Sequence, residues 1–301
     1  MRQLACLIAL LLCAAGTTRA ENDASPDLES PRERIVLQVK DFVHDRRTLG
    51  DGAWEIEKFQ TEDGLWRARL RVDGVVRESY GDCGEREDWM RFLVWPDSVP
   101  DAAGLDLPRM LFVLRYGGGA NGREHLNIVD LDHDYRSLFA TQGAFNFRRM
   151  EDLDDDGRLE VIGSSRRFEG VLDLSANDSP YPVIVLSYDG EAGRYLCQTD
   201  RFPYESEEAI ARFETAFELN RPVDRKVPFA PDDASVHERQ FAPLVRWAVE
   251  LCYAGRTDEA WRLLEASCTP EAARIARDAI ASILAEERYY QELIGNVQES
   301  Q

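Results

Sequence analysis

Several chemistry-bearing patterns are missing from this sequence. No apolar stretch approaches the roughly 20 residues that a membrane-crossing helix needs. The longest, residues 4–16, is an uncharged and mainly apolar run of 13. A chain without a transmembrane segment is therefore expected. Cysteine is sparse, and no pair has the CxxC spacing of a zinc site. The four histidines, at 44, 125, 133 and 237, form no HExxH pattern, which excludes a zincin arrangement. Positive charge is scarce as well: 36 Lys and Arg face 56 Asp and Glu, for a net charge of −20. Such a surface repels nucleic acid and anionic lipid at long range and favours cations and basic partners.

Catalytic signatures are absent too. Ser79 and Ser164-Ser165 lack the strand–turn–helix context of a nucleophile elbow. Carboxylates are so numerous that no pair stands out as general acid and base. The run Gly117-Gly118-Gly119-Ala120-Asn121-Gly122 matches GxGxxG in form. A strand-like run follows it, whereas a dinucleotide site needs a helix N-terminus there, so a flexible hairpin is expected. No catalytic residue is assigned.

What is present begins with residues 1–20. Arg2, the apolar run and Thr18-Arg19-Ala20 have the pattern of a cleavable signal peptide. Export to the periplasm or cell exterior is expected. Cys13 follows three leucines, whereas a lipidated cysteine follows a small residue, so simple cleavage is expected in place of a lipid anchor at Cys13. Residues 21–34 are polar and Pro-containing and read as a disordered linker. Cys83, Cys197, Cys252 and Cys268 remain in the mature chain. They permit two disulfides in three pairings, or buried free thiols.

The chain then divides by periodicity. Residues 35–205 read as a β-rich domain. Ile35, Leu37 and Val39 alternate, and Trp66, Ala68, Leu70 and Val72 share one face against Arg67, Arg69 and Arg71 on the other. Asp63-Gly64, Asp73-Gly74 and Asp189-Gly190 supply turn signals. Further short strands are expected over 110–116, 124–131, 136–141, 145–150, 159–164, 182–188 and 194–199. Residues 206–301 read as a helical C-terminal region. A helix starts at Ser206, a linker spans 222–236, and three helices follow. The first has the stripe Phe241, Leu244, Val245, Ala248, Leu251 and Cys252 and closes at Gly255. Thr257 is expected to cap the second, and Thr269-Pro270 to open the third. The fold class is α+β, an antiparallel β-meander followed by helices.

The most specific motif is Asp152-Leu153-Asp154-Asp155-Asp156-Gly157-Arg158-Leu159-Glu160. Hard Ca²⁺ requires several oxygen ligands from carboxylates and a carbonyl. Gly at position 6 allows a turn that brings alternate side chains inward. Asp152, Asp154 and Asp156 are the candidate carboxylate ligands, the Arg158 carbonyl a fourth and Glu160 the closing fifth, with Asp155 facing solvent. Position 12 is Ile162, so the loop is not an EF-hand. A second acidic run, Asp130-Leu131-Asp132-His133-Asp134, has Tyr135 where Gly is needed and is not assigned as a site.

Phe145-Asn146-Phe147 precedes the loop and Glu160-Val161-Ile162 follows it. This strand–DxDxDG–strand arrangement resembles the calcium loops of FG-GAP-type repeats, as in integrin β-propellers and related bacterial surface proteins. The likeness spans residues 143–196, through Tyr188-Asp189-Gly190 to Tyr195, about a sixth of the chain. It implies structural Ca²⁺ bound by Asp152, Asp154, Asp156, the Arg158 carbonyl and Glu160. A propeller repeats its blade at least four times, and one good loop occurs here. A small blade-like sheet with one clipped hairpin is expected instead. The run Tyr253-Ala254-Gly255-Arg256-Thr257-Asp258-Glu259-Ala260 resembles the inter-helix turn of a tetratricopeptide-like pair, in one copy.

These features point to an exported, non-catalytic envelope or periplasmic protein with structural Ca²⁺ and a protein or glycan partner. The competing classes are a secreted hydrolase with Ca²⁺ near an acidic cleft, and a small-ligand sensor built on Trp54, Trp66, Trp89 and Trp95.

Overall fold

The alternation over 66–72 shows how this chain builds its sheets. Ala68, Leu70 and Val72 are buried on one face of strand β3 (Trp66–Val72). On the other face, Glu57 of β2 (Trp54–Gln60) accepts from Arg69 at 2.6 Å and from Arg71 at 2.7 Å. Those two guanidinium groups hold the Glu57 carboxyl down at about 2. Strand β4 (Val75–Tyr80) follows through Asp73 and Gly74, with φ of 49° and 79°. Two left-handed residues in succession suit a two-residue hairpin whose twist matches its strands.

The computed structural model describes residues 36–38, 54–80, 90–95, 109–116, 124–141, 145–223 and 225–295. The expected signal peptide with Cys13, the linker over 21–34, the glycine run 117–122, His44, Cys83 and Trp89 lie outside the described residues. The described residues belong to one compact unit.

Beside the three-stranded sheet runs an open nine-stranded antiparallel sheet. Strands β5 (Met90–Trp95), β6 (Met110–Tyr116) and β7 (Glu124–Asp130) form a meander, and β8 (Ser137–Ala140) folds back on β7. Strands β9 (Phe145–Glu151), β10 (Glu160–Ser165), β11 (Val183–Asp189) and β12 (Arg194–Cys197) form a second meander. The two meet where Glu124 pairs with Phe145. Strand β1 (Val36–Gln38) lies along the outer edge of β9. The architecture is α+β, as the change of periodicity predicts.

The helices are α1 (Pro203–Asn220), α2 (Ala234–Val236), α3 (Ala242–Tyr253), α4 (Thr257–Ser267), α5 (Pro270–Glu286) and α6 (Arg288–Leu293). The expected stripe over 241–252 is fully buried and shares one core with the larger sheet. The α3 terminus is a Schellman motif: Arg256 N–H donates to Leu251 O at 2.8 Å and Gly255 N–H to Cys252 O at 3.2 Å, with Gly255 at φ 74°. Thr269 caps α5 through Ala272 N–H.

Four expectations are corrected. Helix α1 begins at Pro203, whose fixed φ and missing N–H suit a first helical position, and not at Ser206. The segment expected as a linker over 222–236 is partly core: Val227 is buried and bridges in parallel to Cys268. The Thr257 side chain does not cap α4; its hydroxyl meets Tyr290 Oη at 2.9 Å. Helix α6 is additional. Its cap is Glu287, which accepts from Tyr290 N–H at 3.0 Å and from Ser165 Oγ at 2.8 Å. Cys197, Cys252 and Cys268 are buried free thiols, and burial pushes each up to about 12.

Candidate metal centre

The acidic loop spans the turn between β9 and β10, with Glu151 opposite Glu160 at its base. Asp155 and Gly157 adopt left-handed φ of 59° and 84°. These two positions turn the chain sharply enough to draw alternate side chains inward. Asp152, Asp154 and Asp156 each bring a carboxylate oxygen within 4.8 Å of the others. Asp155 lies outside this cluster; it is exposed, as are Asp154 and Asp156, whereas Asp152 is half-buried.

The three carboxylates differ in their remaining contacts. Asp152 Oδ2 accepts from Gly157 N–H at 2.9 Å, whereas its Oδ1 is buried with no hydrogen-bond partner. A buried carboxylate oxygen without a donor is costly. Burial raises the Asp152 carboxyl above its ordinary value, and the neighbouring Asp156, Asp154 and Asp155 add to the rise. Asp156 Oδ1 accepts from Arg158 N–H at 2.7 Å. Asp154 Oδ2 lies 3.4 Å from Arg201 Nη2.

Glu160 sits at the floor of the loop. Its Oε2 accepts from Leu153 N–H at 2.8 Å and its Oε1 from Ser187 Oγ at 3.1 Å. The residue is 1% exposed. Burial pushes its carboxyl up to about 7, and the charges of Asp154 and Asp156 push the same way. The Arg158 guanidinium stacks over the Tyr188 ring at 4.5 Å. The loop rests on core side chains that its spacing could not reveal. Trp95 Nε1–H donates to Gly157 O at 3.3 Å, and Tyr195 Oη–H to Leu159 O at 3.1 Å. Both come from elsewhere in the sheet, and no local sequence signal marks them as loop supports.

Of the five predicted ligands, Asp152, Asp154 and Asp156 converge with their carboxylates. Glu160 lies beneath them with both oxygens already accepting, and Arg158 contributes backbone at the loop's exit. The donor set is all oxygen, which suits a hard cation of the Ca²⁺ type. The orphaned Asp152 Oδ1 is the atom such an ion would satisfy.

The second acidic loop, between β7 and β8, is arranged differently. Asp130 accepts from Asp132 N–H and His133 N–H, both at 3.0 Å, and its Oδ2 lies 3.1 Å from His133 Nδ1. Asp132 is held by Arg109 through Nη2 at 2.8 Å and Nε at 2.9 Å. Tyr135 takes the left-handed conformation, φ 55°, without being glycine.

Several of the other sequence candidates sit in the packing. Ser165 anchors Glu287, and His237 is buried against Phe229 and Phe241. Trp95 is core, and Trp66 packs on the smaller apolar cluster. No helix among the described residues is long and apolar enough to cross a membrane. The chain matches no protein-family model, no curated protein and no solved structure.

Proposed function

We propose that this is an exported, non-catalytic envelope or periplasmic binding protein whose 152–160 loop holds a structural Ca²⁺ ion in the manner of a single FG-GAP-type loop. One observation carries the reading: three convergent carboxylates with a buried, unpartnered Asp152 Oδ1 among them. Asp152, Asp154 and Asp156 supply the charge. The Arg158 carbonyl and Glu160 complete the set. The ion's role is to cancel repulsion among like charges and clip β9 to β10. The signal-like pattern of residues 1–20 supports export, where calcium is available.

The partner is a protein or glycan, met on an acidic surface. The carboxylates raised by burial among the described residues, namely Glu124, Asp152, Glu160, Glu250 and Glu287, each accept from a backbone amide. None lines the groove between α4 and α5, where the two acids present, Glu265 and Asp278, are paired with Arg277 and Arg274 beside Trp261 and Leu264. That arrangement favours binding over a hydrolase built on such groups. The test of the ion is thermal unfolding. Chelator lowers Tm of the wild type, and Asp154→Ala removes that difference. Equal melting curves with calcium and with chelator would overturn the reading. For the partner, a glycan array and pull-down from envelope extracts that both return nothing reproducible would count against a binding role.

A further inference from the structure

The residue between the first two candidate ligands is the apolar Leu153, and it points the other way. It is 6% exposed and packs with Ile162, Val183 and Val185 of the sheet and with Phe202, Ala209 and half-buried Phe213 of the α1 segment. Two polar links run in parallel. Arg149 of β9 bridges Glu151, which immediately precedes the loop, and Glu205 in the first turn of α1, at 2.9 and 2.5 Å. Arg201, on the single 3-10 turn that leads into α1, sets its guanidinium beside Asp154 and is itself 52% exposed.

We propose that occupancy of the acidic loop is transmitted to helix α1 through Leu153, with Arg201 as a built-in competitor for the ion. This rests on the calcium reading given above. Without a cation the three carboxylates repel one another, and the backbone that carries Leu153 is loosened. A bound cation draws Asp152, Asp154 and Asp156 together and so fixes Leu153 in its seat beneath Phe202, Ala209 and Phe213. Loop and α1 then behave as one cooperative unit. By linkage the reverse holds: the factor by which the ion strengthens the α1 seat is the factor by which a formed seat strengthens ion binding. Arg201 already partly neutralises Asp154. A divalent ion arriving there meets a like charge and displaces the guanidinium.

Hydrogen exchange on the full chain, with calcium chloride or with EGTA, tests this alongside calorimetric titration of calcium. Calcium is expected to slow exchange across the loop and the first half of α1 and to leave α5, which shares no residue with the Leu153 cluster, unchanged. Phe213→Ala is expected to weaken calcium binding on the order of fivefold. Arg201→Gln, which removes a surface charge together with the guanidinium over the Phe202 ring, is expected to tighten it roughly three- to tenfold. Calcium binding with protection confined to 152–160 and unchanged affinity in both variants would overturn the coupling while leaving the ion reading intact. No heat of binding and no protection anywhere would overturn both.

Discussion

Two acidic hairpin loops on the same sheet dispose of their charge in opposite ways. In the β7–β8 loop, Asp130 is met by the His133 ring and Asp132 by the Arg109 guanidinium, so the chain supplies its own partners. In the β9–β10 loop, Asp152, Asp154 and Asp156 converge with one peripheral guanidinium among them and one buried oxygen left unpartnered. The two start alike, with Asp-Leu-Asp and a buried leucine in second place. What separates them is the supply of local positive charge and the residue after the third acid, Tyr135 or Gly157. A string of acids therefore does not define an ion site. What lets Asp152, Asp154 and Asp156 hold an ion is that they converge with only Arg201 beside them.

The comparison can be broken most forcefully at Gly163, beside the register shift of the β9–β10 ladder. A methyl group there would collide with the Phe145 ring and come within 2.6 Å of the Asn146 carbonyl. Gly163→Ala is expected to destabilise the protein by about 3 kcal/mol, because backbone cannot yield as a flexible side chain can. Denaturant unfolding with no change in midpoint would show that the ion-loop hairpin is not clamped at this point.

Next comes pH. The response of the loops is visible once Glu250 is separated from it. Glu250 of α3 is 1% exposed, accepts from Val183 N–H at 3.1 Å, and is pushed by burial up to about 7. Its folded value lies above its unfolded one, so the native state holds the extra proton. Stability then falls as pH rises from about 4.5 to about 7 and levels off above. The size is about 3 kcal/mol. Glu250→Gln is expected to remove this slope, read as the difference between wild-type and variant unfolding free energies across that range. Parallel curves would refute it.

Calcium sharpens the contrast directly. At a hundredfold excess over Kd, an ion bound only by the folded state stabilises it by about 2.7 kcal/mol. That increment is expected to vanish in Asp154→Ala and to persist in Asp132→Ala, the matching change in the other loop. Loss in both variants would mean that the two loops are one site. The smallest effect is expected at Arg109→Ala. Its pair with Asp132 is partly solvated, so the cost is below about 1 kcal/mol and independent of calcium. A calcium-dependent stability change in this variant would instead identify Arg109 as a stand-in for an ion.

The sequence by itself determined the class of fold and the convergence of three acids, because both are local. Period-two alternation over 66–72, the Asp73-Gly74 turn, the stripe over 241–252 and the Gly255 stop each depend on neighbours a few residues away. The same holds for Asp152, Asp154 and Asp156, since alternate residues around a glycine turn must face one another. The tertiary structure alone decided what lies under the loop. Glu160 at its floor also accepts from Leu153 and Ser187, and Trp95, Tyr195 and Arg201 meet the loop from distant parts of the chain. Helix α6 and the buried Val227 belong to the same class, since each is stabilised by a surface formed elsewhere. Spacing along a chain fixes which side chains share a turn or a face. Which strand or helix then covers that face depends on long-range packing, and that packing leaves no periodic mark in the sequence.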